Sequence, residues 1–209
     1  MQFKIISLIC FISVFACYSQ HKENNNTYPP NQGQINFNLS LHAINNFYMQ
    51  PEGSDDRLNT GFWGVGSGLD YYYSDGRFIN LSATMATDVI IPIIGAADLS
   101  GEYDVMATAY LSLTDNFHAG NFTFGYGICY AKNLWEEFTE GIDYAPDFGP
   151  ELQYYKSTAY GFILNSYYNW GRSINLGIIY RPTLYQISPE SKSKYEHFIS
   201  IALKWKMQL

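Results

Sequence analysis

Apolar and polar residues alternate one by one along most of the chain after residue 33. A period of two is typical of a β-strand that presents one apolar and one polar face. The alternating runs are eleven to thirteen residues long, whereas strands of globular proteins average about 5–6 residues and a tilted strand that crosses a bilayer needs about 9–11. We therefore predict eight long strands, at residues 34–45, 61–73, 77–88, 103–114, 121–132, 160–170, 174–185 and 199–209.

The connections between these runs alternate between long and short without exception. The short ones are 74–76, 115–120 and 171–173, and they are rich in Gly, Asp and Ser, which are typical of tight turns. An antiparallel barrel with short turns at one end and long loops at the other produces this order. The chain is therefore predicted to be an all-β, eight-stranded, antiparallel up-and-down transmembrane β-barrel, with short periplasmic turns and long extracellular loops. The four long connections are 46–60, 89–102, 133–159 and 186–198.

The two faces of the predicted strands differ in charge. The central part of each apolar series contains no Asp, Glu, Lys or Arg, whereas Asp70, Arg181, Lys204 and Lys206 all fall on the polar series. A cation on the lipid face of a membrane barrel costs about 2–4 kcal/mol at the midplane, so the apolar series is predicted to face lipid. An eight-stranded ring is just wide enough for side chains to fill it. The four charged residues are therefore predicted to form a polar network that fills the lumen.

The chain resembles the small eight-stranded outer-membrane β-barrels, the class that includes the OmpX and OmpA transmembrane domains. The resemblance covers residues 34–209 and is architectural. Residues 205–209 resemble the C-terminal signal of such barrels, although this chain ends in Leu209 and not in Phe or Trp. The resemblance implies residence in the outer membrane of a Gram-negative bacterium. It also implies contact with outer-membrane lipid and lipopolysaccharide, and with the barrel assembly machinery.

Charge and the N-terminal segment agree with export to the envelope. Twelve Lys and Arg against 19 Asp and Glu give a formal charge of −7, which disfavours a nucleic-acid partner because binding to phosphates needs an excess of cations. Residues 1–19 have the length and apolar centre of a signal peptide, with cleavage expected before Gln20. An alternative makes Cys17 an acylated first residue. Residues 20–33 are expected to be a flexible segment, followed by the barrel at 34–209.

Catalysis has one weak candidate constellation. Ser40 and His42 share a face at a spacing of two, and Asp88 and Asp104 are expected near the same rim. A hydrolase or acyltransferase needs a nucleophile, a base and an orienting acid within hydrogen-bond reach. Known deacylase barrels carry His-x-Ser followed by Asn, whereas the order here is Ser40-x-His42. We therefore favour a structural polar pair in the lumen over a catalytic one.

The long connection at 133–159 is acidic and rich in aromatic residues, which are typical anchors of protein interfaces. We predict a loop interaction surface here, suited to an extracellular or envelope protein partner. No metal-binding spacing or cofactor motif is present in the sequence, so neither a metal nor a cofactor is expected. The residues of this predicted surface are Trp135, Glu136, Glu137, Glu140, Asp143, Tyr144 and Asp147.

The function predicted from these patterns is that of a non-enzymatic outer-membrane barrel with a structural or surface-interaction role. One alternative is an enzyme that modifies lipid A, either an acyltransferase or a deacylase. A second alternative is a soluble, lipocalin-like periplasmic binder, in which the apolar series would face an inner cavity.

Overall fold

The computed structural model describes residues 31–52, 55–88, 102–139, 153–171 and 173–209. The predicted signal peptide lies outside the described residues. Within these ranges, no helix has the length and apolar character needed to cross a membrane. The strands in the described ranges are β1 Ile35–Met49, β2 Arg57–Gly61, β3 Trp63–Ser74, β4 Arg77–Thr87, β5 Glu102–Ala119, β6 Phe122–Thr139, β7 Gln153–Trp170, β8 Ile174–Ser188 and β9 Lys192–Gln208.

Eight of these strands form a closed ring in which each strand is antiparallel to its neighbours. The order runs from β1 through β3 to β9, and β9 pairs with β1 to close the barrel. On β1, Ser40 lies opposite Gly66 of β3 and Lys204 of β9. Strand β2 is antiparallel to residues 45–49 of β1 and forms a short hairpin with them. The structure thus confirms the predicted eight-stranded, antiparallel up-and-down barrel.

The apolar series faces outward and the polar series faces inward. Ile128 and Val65 on the outer wall are 60% and 59% exposed, whereas Asn38, Asp70 and Ser200 on the inner wall are almost completely buried. A soluble, lipocalin-like barrel requires the reverse arrangement, with the apolar side chains around a cavity. The lipocalin-like alternative is therefore wrong, because it places the apolar series inside the barrel.

The three short turns are built on glycine. Gly76, Gly120 and Gly171 have φ angles of 71°, 60° and 74°, values in the left-handed region that side chains other than glycine adopt at a cost. Both ends of the described barrel lie at this rim, because the backbone N–H of Leu209 donates to the carbonyl oxygen of Ile35 at 3.1 Å. We call this end the short-turn rim and the opposite end the long-loop rim.

The strands extend further towards the long-loop rim than the sequence pattern predicts. The segment 133–159, predicted as one long connection, contains the end of β6 and the start of β7, and the segment 186–198 contains the end of β8 and the start of β9. Likewise, the segment 46–60 holds the end of β1 and most of β2. These boundaries were predicted wrongly because charged residues such as Lys132 and Glu136 enter the outward series above Tyr130. The alternation of apolar and polar residues stops there while the strand continues.

Candidate functional site

The lumen is the candidate site, and its lower part, nearest the short-turn rim, is organised around Asp70. This carboxylate is fully buried and accepts hydrogen bonds from Asn38 Nδ2 at 2.9 Å and from Asn80 Nδ2 at 2.7 Å. Lys206 Nζ lies 3.5 Å from Asp70 Oδ2. Buried charges persist only when they are paired and hydrogen-bonded. Asp70 Oδ1 accepts both hydrogen bonds, and Oδ2 is held by the ion pair with Lys206.

Lys204 belongs to the same inward series of β9, two residues before Lys206. Its Nζ lies 4.0 Å from the centre of the Tyr167 ring, and that of Lys206 lies 4.4 Å from the centre of the Phe78 ring. Cation–π contact is attractive because the ring face carries negative charge. The structure thus brings together Asp70, Lys204 and Lys206 of the network predicted from the sequence.

Arg181, the fourth predicted member, lies in a separate cluster nearer the long-loop rim. Its guanidinium lies 5.0 Å from the centre of the Tyr110 ring and 5.5 Å from that of Phe198. Arg181 Nη2 donates to Thr108 Oγ1 at 3.0 Å and to Asn133 Oδ1 at 3.1 Å. The predicted single network is therefore divided into two clusters, with the aromatic side chains of Tyr110, Tyr167 and Phe198 between them.

Glu196 is the acidic centre of this upper cluster, and the sequence analysis missed it because residue 196 falls in a predicted loop. Its Oε2 accepts hydrogen bonds from Asn133 Nδ2 at 2.6 Å and from Ser157 Oγ at 3.2 Å. Its Oε1 lies 3.1 Å from the hydroxyl of Tyr155 and 3.9 Å from Lys194 Nζ. Asn133 thus connects Glu196 to Arg181. Extending the parity of Ser200 back along β9 identifies Glu196 as an inward residue.

The candidate catalytic pair does form a hydrogen bond, but without an acid. Ser40 Oγ lies 3.2 Å from His42 Nε2, and the other ring nitrogen of His42 lies 2.9 Å from Ser200 Oγ. Asp88 is near the long-loop rim, where its Oδ2 accepts a hydrogen bond from Asn59 Nδ2. The side chain of Asp104 lies outside the described residues. The orienting position of a catalytic triad is therefore filled by a hydroxyl and not by a carboxylate.

The space beside Ser40 and His42 is too small for a lipid substrate. His42 is only 1% exposed, and the two residues line an interior cavity of about 20 Å³, which is enough for about one water molecule. Gly177 leaves room for Tyr167 to fill the neighbouring lumen, since a Cβ on that glycine would lie 2.3 Å from Tyr167 Cδ1. The described lumen is packed with side chains, as expected for an eight-stranded ring.

The predicted loop surface is only partly visible. Trp135 is 2% exposed, because β6 continues and points this residue into the mouth of the barrel, where the guanidinium of Arg57 lies 5.0 Å from its ring centre. Glu137 pairs with Arg57 at 3.3 Å, and Glu136 is half-buried on the outer wall. The structure thus places Trp135 inside the barrel and not in an exposed loop. Glu140, Asp143, Tyr144 and Asp147 lie outside the described residues.

Among the described residues, acidic and metal-binding side chains are not clustered in a way that suggests a metal centre. Within the described ranges, no three His, Cys, Asp or Glu side chains are placed to hold a metal ion together. The unpaired Cys129 is buried, and its sulfur lies 3.5 Å from the carbonyl oxygen of Phe162. These contacts describe a packed side chain in the wall of the barrel.

No family model and no curated protein matches this chain. Among solved structures, it is similar to Ail, the attachment invasion locus protein of Yersinia pestis, with 8% identity, a TM-score of 0.49, and coverage of 84% of this chain and 99% of that one. It is also similar to Neisserial surface protein A, with 10% identity, a TM-score of 0.44, and coverage of 84% and 97%. The N-terminal β-barrel domain of Pseudomonas aeruginosa OprF matches with 12% identity, a TM-score of 0.37, and coverage of 84% and 100%. The fold of the present chain is established by its own strand pairing.

Proposed function

We propose that this chain is an integral outer-membrane barrel of a Gram-negative bacterium, with a filled lumen and a structural or surface-interaction role at its long-loop rim. The observation that carries the proposal is the apolar outer wall of a closed ring. In hydrocarbon every backbone N–H and C=O needs an internal partner, and ring closure between β1 and β9 provides it. In water the same wall would expose an apolar surface far larger than the few hundred Å² usual for a soluble monomer.

Aromatic residues on the outer wall support a membrane position. Trp63 and Tyr160 are exposed towards the long-loop rim, and Tyr71 and Trp170 are exposed towards the short-turn rim. Trp and Tyr prefer the two membrane–water interfaces, because their rings are apolar and their N–H or O–H groups are polar. Two such belts flank an apolar band in membrane barrels. With the short turns in the periplasm, the long-loop rim faces the cell exterior.

The filled lumen favours a structural or interaction role over transport. Asp70 and Glu196 each organise a cluster of hydrogen bonds across the ring, one below and one above the aromatic side chains of Tyr110 and Tyr167. A binding role would then belong to the long-loop rim, where Glu52, Asp55, Asp56 and Glu190 are exposed. This acidic rim suits a partner protein that presents cationic side chains.

The alternative of a lipid A-modifying enzyme depends on the hydrogen bond between Ser40 and His42. Both side chains point into the lumen, whereas an acyl chain in the bilayer lies against the outer wall. His42 is buried, and its second nitrogen faces Ser200. We therefore propose that the pair stabilises the inner wall and does no chemistry.

The four tryptophans provide a direct test of the membrane position. In variants that keep a single Trp and replace the others with Phe, lipids brominated in their acyl chains should quench Trp63 and Trp205 strongly and Trp135 weakly. Bromine quenches over short distances, and Trp135 is separated from lipid by the barrel wall. The same preparations should migrate differently before and after boiling, as folded outer-membrane barrels do. Recovery of the full chain in the soluble fraction, or equal quenching of Trp135 and Trp205, would contradict the proposal.

A further inference from the structure

A groove crosses the outer wall between β3 and β6, near the long-loop rim. Its volume is about 750 Å³, and it adjoins a second depression of about 570 Å³ lower on the same wall, with which it shares Val65, Met85, Ala109 and Lys132. The groove exists because the outward residues of β5 at this level are small. Ala107 and Ala109 on β5 form its floor, between Trp63 on one side and Leu134 on the other.

Two lysines lie on the β6–β7 side of this groove, and Lys132 is in register with Ala109. Lys132 of β6 and Lys156 of β7 line it and are exposed, and the register places Lys132 opposite Thr158 and Lys156 opposite Leu134. The lysines are therefore diagonal neighbours on one face, a relation in which backbone positions lie about 7–8 Å apart. One phosphorylated head group can reach both ammonium groups.

These two lysines differ from most other cations of the described chain, and Arg77 at the short-turn rim is the exception, since it is also exposed. Arg181, Lys204 and Lys206 are buried inside the barrel, and Arg57 and Lys192 pair with carboxylates at the rim. Lys132 and Lys156 form no ion pair with any side chain in the described ranges. Glu136, which also lines the groove, forms none either. In a chain with a formal charge of −7, two unpaired cations beside an apolar groove indicate an anionic, amphiphilic ligand.

We propose that this groove binds one lipid A moiety of lipopolysaccharide, with its acyl chains over Ala107 and Ala109 and a phosphate on Lys132 and Lys156. The inference rests on the proposed membrane position, which places this rim in the outer leaflet. The arrangement of cations beside apolar surface matches an amphiphile in that leaflet, and lysine stems can lie along apolar surface while their charges reach the head-group layer. The groove spans three strand intervals, or about 14 Å at about 4.8 Å each. This width suits a lipid with several chains.

The test uses the full chain folded in nanodiscs and measures bound lipid by native mass spectrometry. The probes are bis-phosphorylated hexa-acyl lipid A, the same lipid without phosphates, and phosphatidylglycerol. One variant, Lys132→Gln with Lys156→Gln, removes the charges, and a second variant, Ala109→Phe, fills the groove. The matched controls are Arg77→Gln, an exposed cation at the opposite rim, and Ile178→Phe, on the far wall.

We expect one lipid A per wild-type barrel, bound more tightly than the dephosphorylated form or phosphatidylglycerol. The double lysine variant should bind at least about tenfold more weakly, since each lysine near an anionic surface contributes substantially to attraction. Ala109→Phe should weaken binding of both forms of lipid A, and both controls should bind as the wild type does.

Three results would overturn the inference. The first is equal affinity of the double lysine variant and the wild type for lipid A. The second is equal binding of phosphatidylglycerol and lipid A, which would make the groove a general lipid contact. The third is a barrel dimer that Ala109→Phe dissolves, which would make the groove a protein interface. Migration before boiling separates this failure from failure of the proposed function, because a barrel that folds in lipid but does not discriminate between lipids contradicts the groove alone.

Discussion

The barrel consists of two regions that follow different rules, one below and one above the level of Tyr130. Below it, the outer wall is apolar and the inner wall carries Asp70, Lys204 and Lys206. Above it, the outer wall carries Lys132 and Lys156, and the inner wall contains the large apolar side chain of Trp135. The backbone is the same antiparallel ladder throughout. The hydrophobic pattern of a strand therefore depends on the surroundings of each of its faces. The hydrogen-bonded pairing of the strands continues where those surroundings change.

The largest expected effect comes from the charges that the lower region buries. Asp70→Asn keeps the size of the side chain but removes the negative charge beside Lys206 and leaves two buried cations on β9. We expect a loss of about 3–5 kcal/mol in the free energy of unfolding, measured by urea titration of the barrel in lipid vesicles.

The matched change in the upper region is Glu196→Gln. The amide oxygen can still accept hydrogen bonds from Asn133 and Ser157, and Lys194 lies close to the rim, so the expected loss is smaller, about 1–3 kcal/mol. Equal losses of unfolding free energy for Asp70→Asn and Glu196→Gln would contradict the expectation that the deeper cluster contributes more to stability.

A second comparison moves the same charge along one strand of the outer wall. Ile128→Arg puts a cation on the apolar lower wall, where Ile128 is exposed and the cation should cost about 2–4 kcal/mol, whereas Leu134→Arg on the upper wall should cost about 0–1 kcal/mol. Urea titration in vesicles of the same lipid measures both. If both variants unfold at the same urea concentration, the boundary that we place near Tyr130 is wrong.

His42 tests whether the interior of the lower region is structural. His42→Ala leaves the hydroxyls of Ser40 and Ser200 without their shared partner, and a buried polar group that loses its hydrogen bond costs about 1–3 kcal/mol. We expect the barrel to lose stability by this amount while the lipid A of cells that express it keeps the acylation pattern seen with the wild type. An acylation change that depends on His42, measured by mass spectrometry with Ser112→Ala as an interior control, would instead support the enzymatic alternative.

The lower region was predictable from the sequence because its outer face is uniformly apolar, as the proposed lipid contact requires. The eight strands, their antiparallel order and the inward position of Asp70, Lys204 and Lys206 all follow from that constraint. The upper region was not predictable in the same way. Polar residues occur there on both faces, and a register shift between His42 and Ile44 changes which residues of β1 point inward. Phe47 is consequently buried, and the alternation before the shift could not assign it to the interior. Glu196 does follow the parity of Ser200, and it was missed because the strand was predicted to begin only at residue 199.

The smallest effect is expected beyond both regions, at the long-loop rim, where Glu52 accepts a hydrogen bond from Lys192. This contact is exposed, and it lowers the pKa of Glu52 below its usual value of 4.5. A carboxylate with a depressed pKa adds stability that is present above its unfolded pKa and is lost as the pH falls through the folded value. Acidification below about 4.5 should therefore weaken the link between β9 and the segment that follows β1.

Glu52→Gln should remove this pH dependence, which hydrogen exchange at the backbone amide of Lys192 can measure. The control is Glu190→Gln, which should keep most of the pH dependence, since the Glu190 carboxylate lies 3.9 Å from the same lysine. If exchange at Lys192 is equally sensitive to pH in Glu52→Gln, the contact between Glu52 and Lys192 does not stabilise the rim.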